Sequence, residues 1–277
     1  MLDACLTCFD EQDVPPELIV VCNATSTDGT EEMLAERHPR VLSLRCTDDN
    51  WWRGTINVCL QEILKRCSAD DYILCINDDV TFERDYTRKM LEAARKGPKR
   101  AVQSVFVDIE DPDFIIDGGS RQSLISGRFT WVNRSRRRSE FPPDYEVESS
   151  YLSGRGVIYP ARAFMEVGLF SERLLSLFAD YEFAFRCGRS GYSLFVNYGC
   201  VVKGDAKPTS IHRRDGKFSI RGLKEYYNSP RSSANIESCF VFSRLITDNR
   251  LRGYWLFVMM FVRVTWVFLR GQKKAPA

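Results

Sequence analysis

Along residues 2–9 the apolar side chains Leu2, Cys5, Leu6 and Phe9 recur at helical spacing, which predicts a helix ending near Gln12, ahead of Pro15-Pro16. Residues 18–22 form a short apolar run that reads as a strand. The polar turn 23–30 follows, and its Asp28 together with Glu31 predicts a capped helix reaching His38. A second strand is expected at 41–44, then a helix carrying the stripe Ile56, Cys59, Leu60, Ile63, Leu64 and Cys67, whose regularity marks core packing. Residues 72–76 are an apolar strand that runs directly into Asn77-Asp78-Asp79. A helix at 86–95 and a strand at 101–107 continue the alternation. Strands separated by helices imply an α/β, doubly wound and mostly parallel sheet.

From 117 to 150 the periodicity is lost. The stretch is rich in Gly, Ser and Arg, contains Arg134-Ser135-Arg136-Arg137-Arg138 and ends in Pro142-Pro143, which reads as a long functional loop. Order resumes at Tyr151, with helices expected at 161–167 and 180–190 and an apolar strand at 193–202. Near the end, residues 254–262 are wholly apolar and 264–269 nearly so, with Arg263 between them. At 1.5 Å per residue, residues 254–269 would span about 24 Å, less than the roughly 30 Å of bilayer hydrocarbon. An in-plane amphipathic helix on a membrane surface fits that length better than a span; a helix packed on the protein or on a second copy is the alternative. The expected organisation is a globular unit over 1–243 and a helical tail over 244–277.

Composition sharpens this picture in two ways. The chain has 277 residues, 44% hydrophobic and 12% aromatic, enough for a sizeable core, and a formal charge of +2 that conceals an asymmetry. The tail carries Arg244, Arg250, Arg252, Arg263, Arg270, Lys273 and Lys274 against Asp248 alone, so it is +6 and the body is −4. A mildly acidic body argues against nucleic-acid binding, and a basic apolar tail argues for an anionic membrane surface. The ten cysteines do not show zinc spacing: Cys5 and Cys8 form one CxxC without a second pair, and His38 and His212 are the only histidines. Neither do they suggest disulfides, since Cys22, Cys59, Cys75 and Cys200 lie in apolar runs. With no basic and apolar leader at Met1, a reducing cytoplasmic compartment is expected.

Candidate chemistry gathers where carboxylates meet strand ends. Open α/β sheets bind ligands beyond the carboxyl ends of their strands, and hard divalent cations take oxygen ligands, so Asn77-Asp78-Asp79 reads as a metal–diphosphate site or, more simply, as a solvated turn. Asp180 stands at the start of a predicted helix, where it is either an N-cap or a functional acid. Arg186 is placed to pair with Glu182 at i,i+4 rather than with a phosphate. Adjacent Trp51 and Trp52 project in different directions, one suited to the core and one to stacking on a sugar or base.

In order along the chain, residues 17–30 (including Cys22-Asn23 and Asp28-Gly29-Thr30), 50–57, Asn77-Asp78-Asp79, Gly168 to Glu172 and Ala179-Asp180-Tyr181-Glu182 resemble family 2 glycosyltransferases, most nearly the bacterial rhamnosyltransferase-like group that builds surface polysaccharide. The resemblance spans about residues 2–235. It implies a GT-A-like fold and inverting transfer of a sugar from a nucleotide-diphosphate donor to a growing glycan or lipid-linked acceptor, at the inner face of the cell membrane. It implies a divalent cation, Mn2+ or Mg2+, held by Asp79, with Asp78 contributing, Asn77 standing at the family's first acid, and His212 as a late ligand. Asn23 and Asp28 would contact the donor, although Cys22 stands where relatives often have an acid. Asp180 matches the base that deprotonates the acceptor hydroxyl, and Gly154, Arg155 and Gly156 the acceptor turn. A homo-oligomer is compatible with this reading. The family opens with a further strand and a Thr-Tyr-Asn-like turn, and this sequence begins in the helix after it, which leaves a start upstream, a fragment or a degenerate, inactive interaction module as alternatives. A sugar nucleotidyltransferase is disfavoured, because no Gly-rich, Lys-bearing loop is present.

Overall fold

The computed structural model describes residues 1–24, 26–47, 51–174, 177–205, 220–230 and 232–271. Its elements follow the expected alternation through the first hundred residues: α1 Leu2–Asp10, β1 Val20–Asn23, α2 Thr30–Arg37, β2 Leu42–Arg45, α3 Trp51–Leu64, β3 Tyr72–Cys75, β4 Val80–Thr81, α4 Tyr86–Ala94 and β5 Arg100–Asp108. The start of α2 differs in detail from expectation. Gly29, at φ 84°, is its N-cap, while the Asp28 carboxylate takes the Thr30 amide and hydroxyl and Glu31 turns back to Asn23.

The stretch read as a loop is instead a set of short elements: β6 Ile115–Asp117, a hairpin of β7 Ser120–Gln122 and β8 Phe129–Trp131, a 3-10 turn at Arg138–Glu140, and β9 Glu146–Glu148. Strands of three residues are too short for alternation to register in a sequence, and their pairing partners are remote. Then come β10 Val157–Pro160, α5 Ala161–Val167, α6 Ala179–Arg189, β11 Ser193–Gly204, α7 Ile220–Asn228, α8 Ile236–Leu245 and α9 Arg250–Gly271.

The central sheet has seven strands and is mixed. Its path is β3-β10-β5-β11-β4, with β6 on β5 and β9 on β11. β5 and β11 are parallel, as are β1 and β2 in their own two-stranded sheet; β10 enters antiparallel to both neighbours. Helices cover both faces. On β10, Val157 and Tyr159 enter a core with Phe164, Phe170 and Phe183 under α3, α5 and α6, while Ile158 enters the opposite core with Phe9, Tyr86 and Met90 under α1 and α4. This alternation explains why the helix stripes face inward on both sides.

A third cluster joins Tyr151, Phe242, Leu256 and Met260, so that α9 packs on α8 and on the body through one face. Its other face leaves Leu251, Trp255, Val258, Val262 and Trp266 at least half exposed or nearly so. Among the described residues no helix is long and apolar enough to cross a membrane.

Candidate active site

The site is built where β3, the turn before β10 and the start of α6 converge. Beyond β3, the Asn77 carboxamide is fixed by the Trp52 indole, whose Nε1 donates to Asn77 Oδ1 at 3.1 Å, and the Cys5 thiol donates to the Asn77 carbonyl at 3.6 Å. Asp78 and Asp79 next to it are exposed, and among the described residues no cation lies within salt-bridge distance of either. Burial pushes the Cys5 thiol up to about 12, with contributions from Cys8 and these two carboxylates. The Asp79 carbonyl abuts Gly204, where a Cβ would come within 3.3 Å of it, so the acidic turn rests against the end of β11. His212, the expected late ligand, lies outside the described residues.

Asp180 is not the helix cap. That place belongs to Phe178, in the left-handed region at φ 70°, which turns the chain so that Asp180 falls in the first turn of α6. Its Oδ1 accepts the Tyr181 amide at 2.9 Å and its Oδ2 accepts the Gly154 amide at 3.0 Å. Burial pushes the carboxyl up to about 6, against the pull of those two amides and of Arg155. Gly154 has no alternative side chain, because a Cβ there would lie 2.3 Å from Trp52 Cζ2. Thus one tryptophan ring underlies both the Asn77 turn and the Gly154 turn. Arg155 extends over the Phe106 ring at 4.9 Å with no carboxylate within salt-bridge distance among the described residues.

Two further residues belong here that the sequence pattern did not mark. Gln103, 2% exposed on β5, accepts the Ser153 amide at 2.6 Å through Oε1. Asp117, 6% exposed at the end of β6, also accepts the Gly119 amide at 2.9 Å, and burial raises its carboxyl despite Arg155 and Arg134 nearby. The turn 153–156 is therefore held from both sides, by Gln103 at Ser153 and by Asp180 at Gly154. Their signal in sequence was only a polar side chain inside an apolar strand.

Other expected residues serve local structure. Asn23 gives its amide to Glu31 Oε1 at 2.8 Å and accepts the Ser26 amide at 3.1 Å, and Asp28 holds Thr30, so both organise the β1–α2 turn; among the described residues no hydrogen bond joins them to Asp78, Asp79 or Asp180. Burial pushes the Cys22 thiol on β1 up, so it presents no charge. Arg186 pairs with the buried Glu182 as expected, at 2.6 and 3.0 Å, and also binds the Val167 and Leu169 carbonyls.

Among the described residues no three His, Cys, Asp or Glu side chains converge as a metal cage. Asp78 and Asp79 nevertheless fit a hard cation that completes its shell with substrate phosphate and water: they are two exposed carboxylates without a counter-charge within salt-bridge distance among the described residues.

An α/β sheet with acids beyond its carboxyl edge and a second acid at a helix start is the arrangement of GT-A glycosyltransferases. Residues 1–164 match the family model for glycosyl transferase family 2, and the chain belongs to that family. It is 27% identical over 215 residues, 70% of this chain and 68% of the other, to an N-acetylglucosaminyl-diphospho-decaprenol L-rhamnosyltransferase of Mycobacterium tuberculosis. Among solved structures it resembles mannosyltransferase PcManGT from Pyrobaculum calidifontis in complex with GDP-Man and Mn2+ (TM-score 0.56, 14% identity, 98% of this chain and 69% of that one). It also resembles GalNAc-T7 with UDP, GalNAc and Mn2+ (TM-score 0.54, 11% identity, 90% of this chain), and spans 50% of that protein's length.

Proposed function

We propose that this protein is an inverting, metal-dependent glycosyltransferase that moves a sugar from a nucleotide-diphosphate donor onto a lipid-diphosphate-linked glycan during surface polysaccharide synthesis. The observation that carries the reading is the Asp180 carboxylate. It is fixed by two backbone amides beside the Gly154 turn, and burial lifts it to about 6, near the pH at which a general base must work. In this reading Asp180 takes the proton of the acceptor hydroxyl as its oxygen attacks the anomeric carbon from the face opposite the leaving nucleoside diphosphate. The turn 153–156, held by Gln103 and Asp180, orients the acceptor, and Arg155 adds positive charge beside it. Asp78 and Asp79 would hold a divalent cation, with His212 as a further candidate ligand; when bound, such an ion neutralises charge on the departing diphosphate. Asn23 and Asp28 shape the turn proposed to lie along the donor.

The tail from residue 244 is proposed to rest on the inner face of the cell membrane, where a lipid-linked acceptor would be presented. The exposed stripe on α9 and the flanking Arg250, Arg252 and Arg263 support this. The M. tuberculosis relative, named for a diphospho-decaprenol acceptor, supports the same choice.

Nucleotide-sugar donors titrated with and without Mn2+ test the donor side. The expected result is Mn2+-dependent binding that Asp79→Ala abolishes while changing stability by less than about 0.5 kcal/mol, as for an exposed side chain. Undiminished metal-dependent binding in that variant would overturn the assignment of Asp79. Binding without any sugar transfer, over a panel of lipid-diphosphate acceptors, would favour an inactive family member.

A further inference from the structure

Within the basic run 134–138 the arginines differ in their circumstances. Arg136 pairs with Glu140 and Arg137 with Asp111, whereas among the described residues no carboxylate lies within salt-bridge distance of Arg134. The turn that displays Arg134 is held in an uncommon conformation, since Asn133 at φ 52° and Ser135 at φ 66° are both left-handed without being glycine. Residues in such backbone regions persist where the surroundings over-determine them. Here Asn133 Nδ2 donates to Tyr198 Oη at 2.9 Å, Tyr198 donates to the Gly118 carbonyl at 3.0 Å, and the Ser135 amide donates to the Ile115 carbonyl at 2.8 Å.

The Arg134 guanidinium lies over the Trp131 ring at 5.1 Å, and its charge acts on the Asp117 carboxylate and the Tyr181 hydroxyl. The Arg155 charge acts on the same two groups and on Asp180. Trp131 meets Phe129 edge-on at 4.9 Å and Phe129 stacks on Tyr181 at 6.0 Å, so the ring under Arg134 reaches, through Phe129, the residue that follows Asp180, while Arg155 follows Gly154, whose amide Asp180 accepts. Phe129 also stacks with Tyr151 at 6.1 Å. Gln122, the cross-strand partner of Phe129 and hence on its face, leaves Nε2 buried without a partner, as Tyr151 leaves its hydroxyl. Buried donors without partners call for an explanation, and a bound anion with sugar hydroxyls supplies one.

The same hairpin reaches α9. Trp255 Nε1 donates to the Ile125 carbonyl at 2.7 Å, and a Cβ on Gly127 would sit 3.0 Å from Met259 Cβ, so the tip is locked against the helix. Ile125 is 80% exposed beside the apolar stripe.

We propose that Arg134 and Arg155 form a diphosphate-binding subsite for a membrane-anchored acceptor, with the β7–β8 hairpin spanning from the lipid surface to Asp180. This rests on the glycosyltransferase reading above and adds the residues that would recognise the acceptor's charged link. Guanidinium groups suit the task, because their fork binds phosphate oxygens in pairs.

The test uses the full chain in EDTA without donor, so that the donor's metal site contributes nothing. Phosphatidylcholine vesicles doped with geranylgeranyl diphosphate are compared with vesicles of matched charge doped with phosphatidylglycerol. Wild type should bind the diphosphate vesicles at least about tenfold more tightly, and inorganic pyrophosphate should compete where phosphate does not. Arg134→Ala and Arg155→Ala should each remove that preference and retain binding to phosphatidylglycerol. Arg134 is exposed, so its variant tests the subsite even if Arg155→Ala fails to fold. Equal binding to both vesicle types, or a preference unchanged in Arg134→Ala, would overturn the subsite. Sugar transfer that persists alongside either result leaves the glycosyltransferase reading standing.

Discussion

The Asp180 carboxylate accepts the backbone amide of Gly154 at 3.0 Å, across 26 residues of sequence, and so ties the start of α6 to the turn that precedes β10. The proposed proton acceptor and a loop of the proposed acceptor site are thereby set by one contact. Because Gly154 also lies against Trp52, whose indole holds Asn77, a displacement at any of these residues is passed to the others.

Replacing Asp180 by Asn removes the proton acceptor and keeps the shape, so turnover should fall by about 10² or more with donor affinity nearly unchanged. In the wild type, activity should decline below about pH 6 with unit slope, since the carboxyl must be ionised. Stability has the opposite sign. The folded carboxyl is raised above its ordinary 3.8, so folding takes up a proton between those values and this stabilisation is lost as pH rises through about 6. The melting temperature of Asp180→Asn relative to wild type should therefore improve from pH 4 to pH 8. A turnover loss no larger than the stability loss would leave Asp180 a purely structural residue.

Gly154→Ala should damage the site through Trp52. A Cβ 2.3 Å from the ring forces the indole or the turn to move, which disturbs the Asn77 hydrogen bond and the Asp180 contact together. Both kcat and donor affinity should fall. Trp52→Phe, which deletes the indole N–H and the ring edge against Gly154, should weaken metal-dependent donor binding more than it lowers kcat. Binding calorimetry and steady-state kinetics on the two variants separate these effects.

Arg186→Ala should be among the most destabilising single changes in the sheet-facing helices. It leaves the Glu182 carboxylate, 1% exposed, without its partner and frees the carbonyls of Val167 and Leu169. Removing one member of a buried pair costs about 3 kcal/mol or more. Urea unfolding should show that loss, and Glu182→Gln added to Arg186→Ala should recover part of it.

The stripe on α9 can be tested without disturbing its packed face. Deleting the helix would remove Leu256 and Met260, 0% and 9% exposed, from the core, whereas Val258 and Val262 are 49% and 54% exposed. The double change Val258→Glu, Val262→Glu should reduce vesicle binding by at least about tenfold with little change in melting temperature, because two apolar side chains no longer enter the lipid interface. Salt at 1 M, where charges are screened beyond about 3 Å, should not release the wild type. If the wild type instead self-associates and the variant is monomeric, the stripe covers a second copy.

Local patterns made much of this protein legible. The helical stripe from Ile56 to Leu64, the apolar strand before Asn77-Asp78-Asp79 and the amphipathic α9 follow from periodicities of 3.6 and 2, which a chain must show if one face is to be buried, whereas Cys67, expected on the same stripe, lies past the end of α3. The Glu182–Arg186 pair was readable for the same reason, as one helical turn separates the two residues. What tertiary structure decided are the contacts that no local spacing encodes. Trp52 meets Asn77 across 25 residues, Gln103 meets Ser153 across 50, and Phe178 caps α6 while Asp180, in its first turn, accepts the Gly154 amide. The strands β6 to β9 exist because β5, β11 and one another supply their hydrogen bonds, and three-residue strands hold no alternation long enough to announce them. The amino-acid sequence therefore determined which side chains face inward and which acids end the strands. Only the packing of distant segments decided which of those acids is enclosed, lifted to about 6 and set beside Arg155, because burial and electrostatic environment arise from neighbours that come together only in the folded chain.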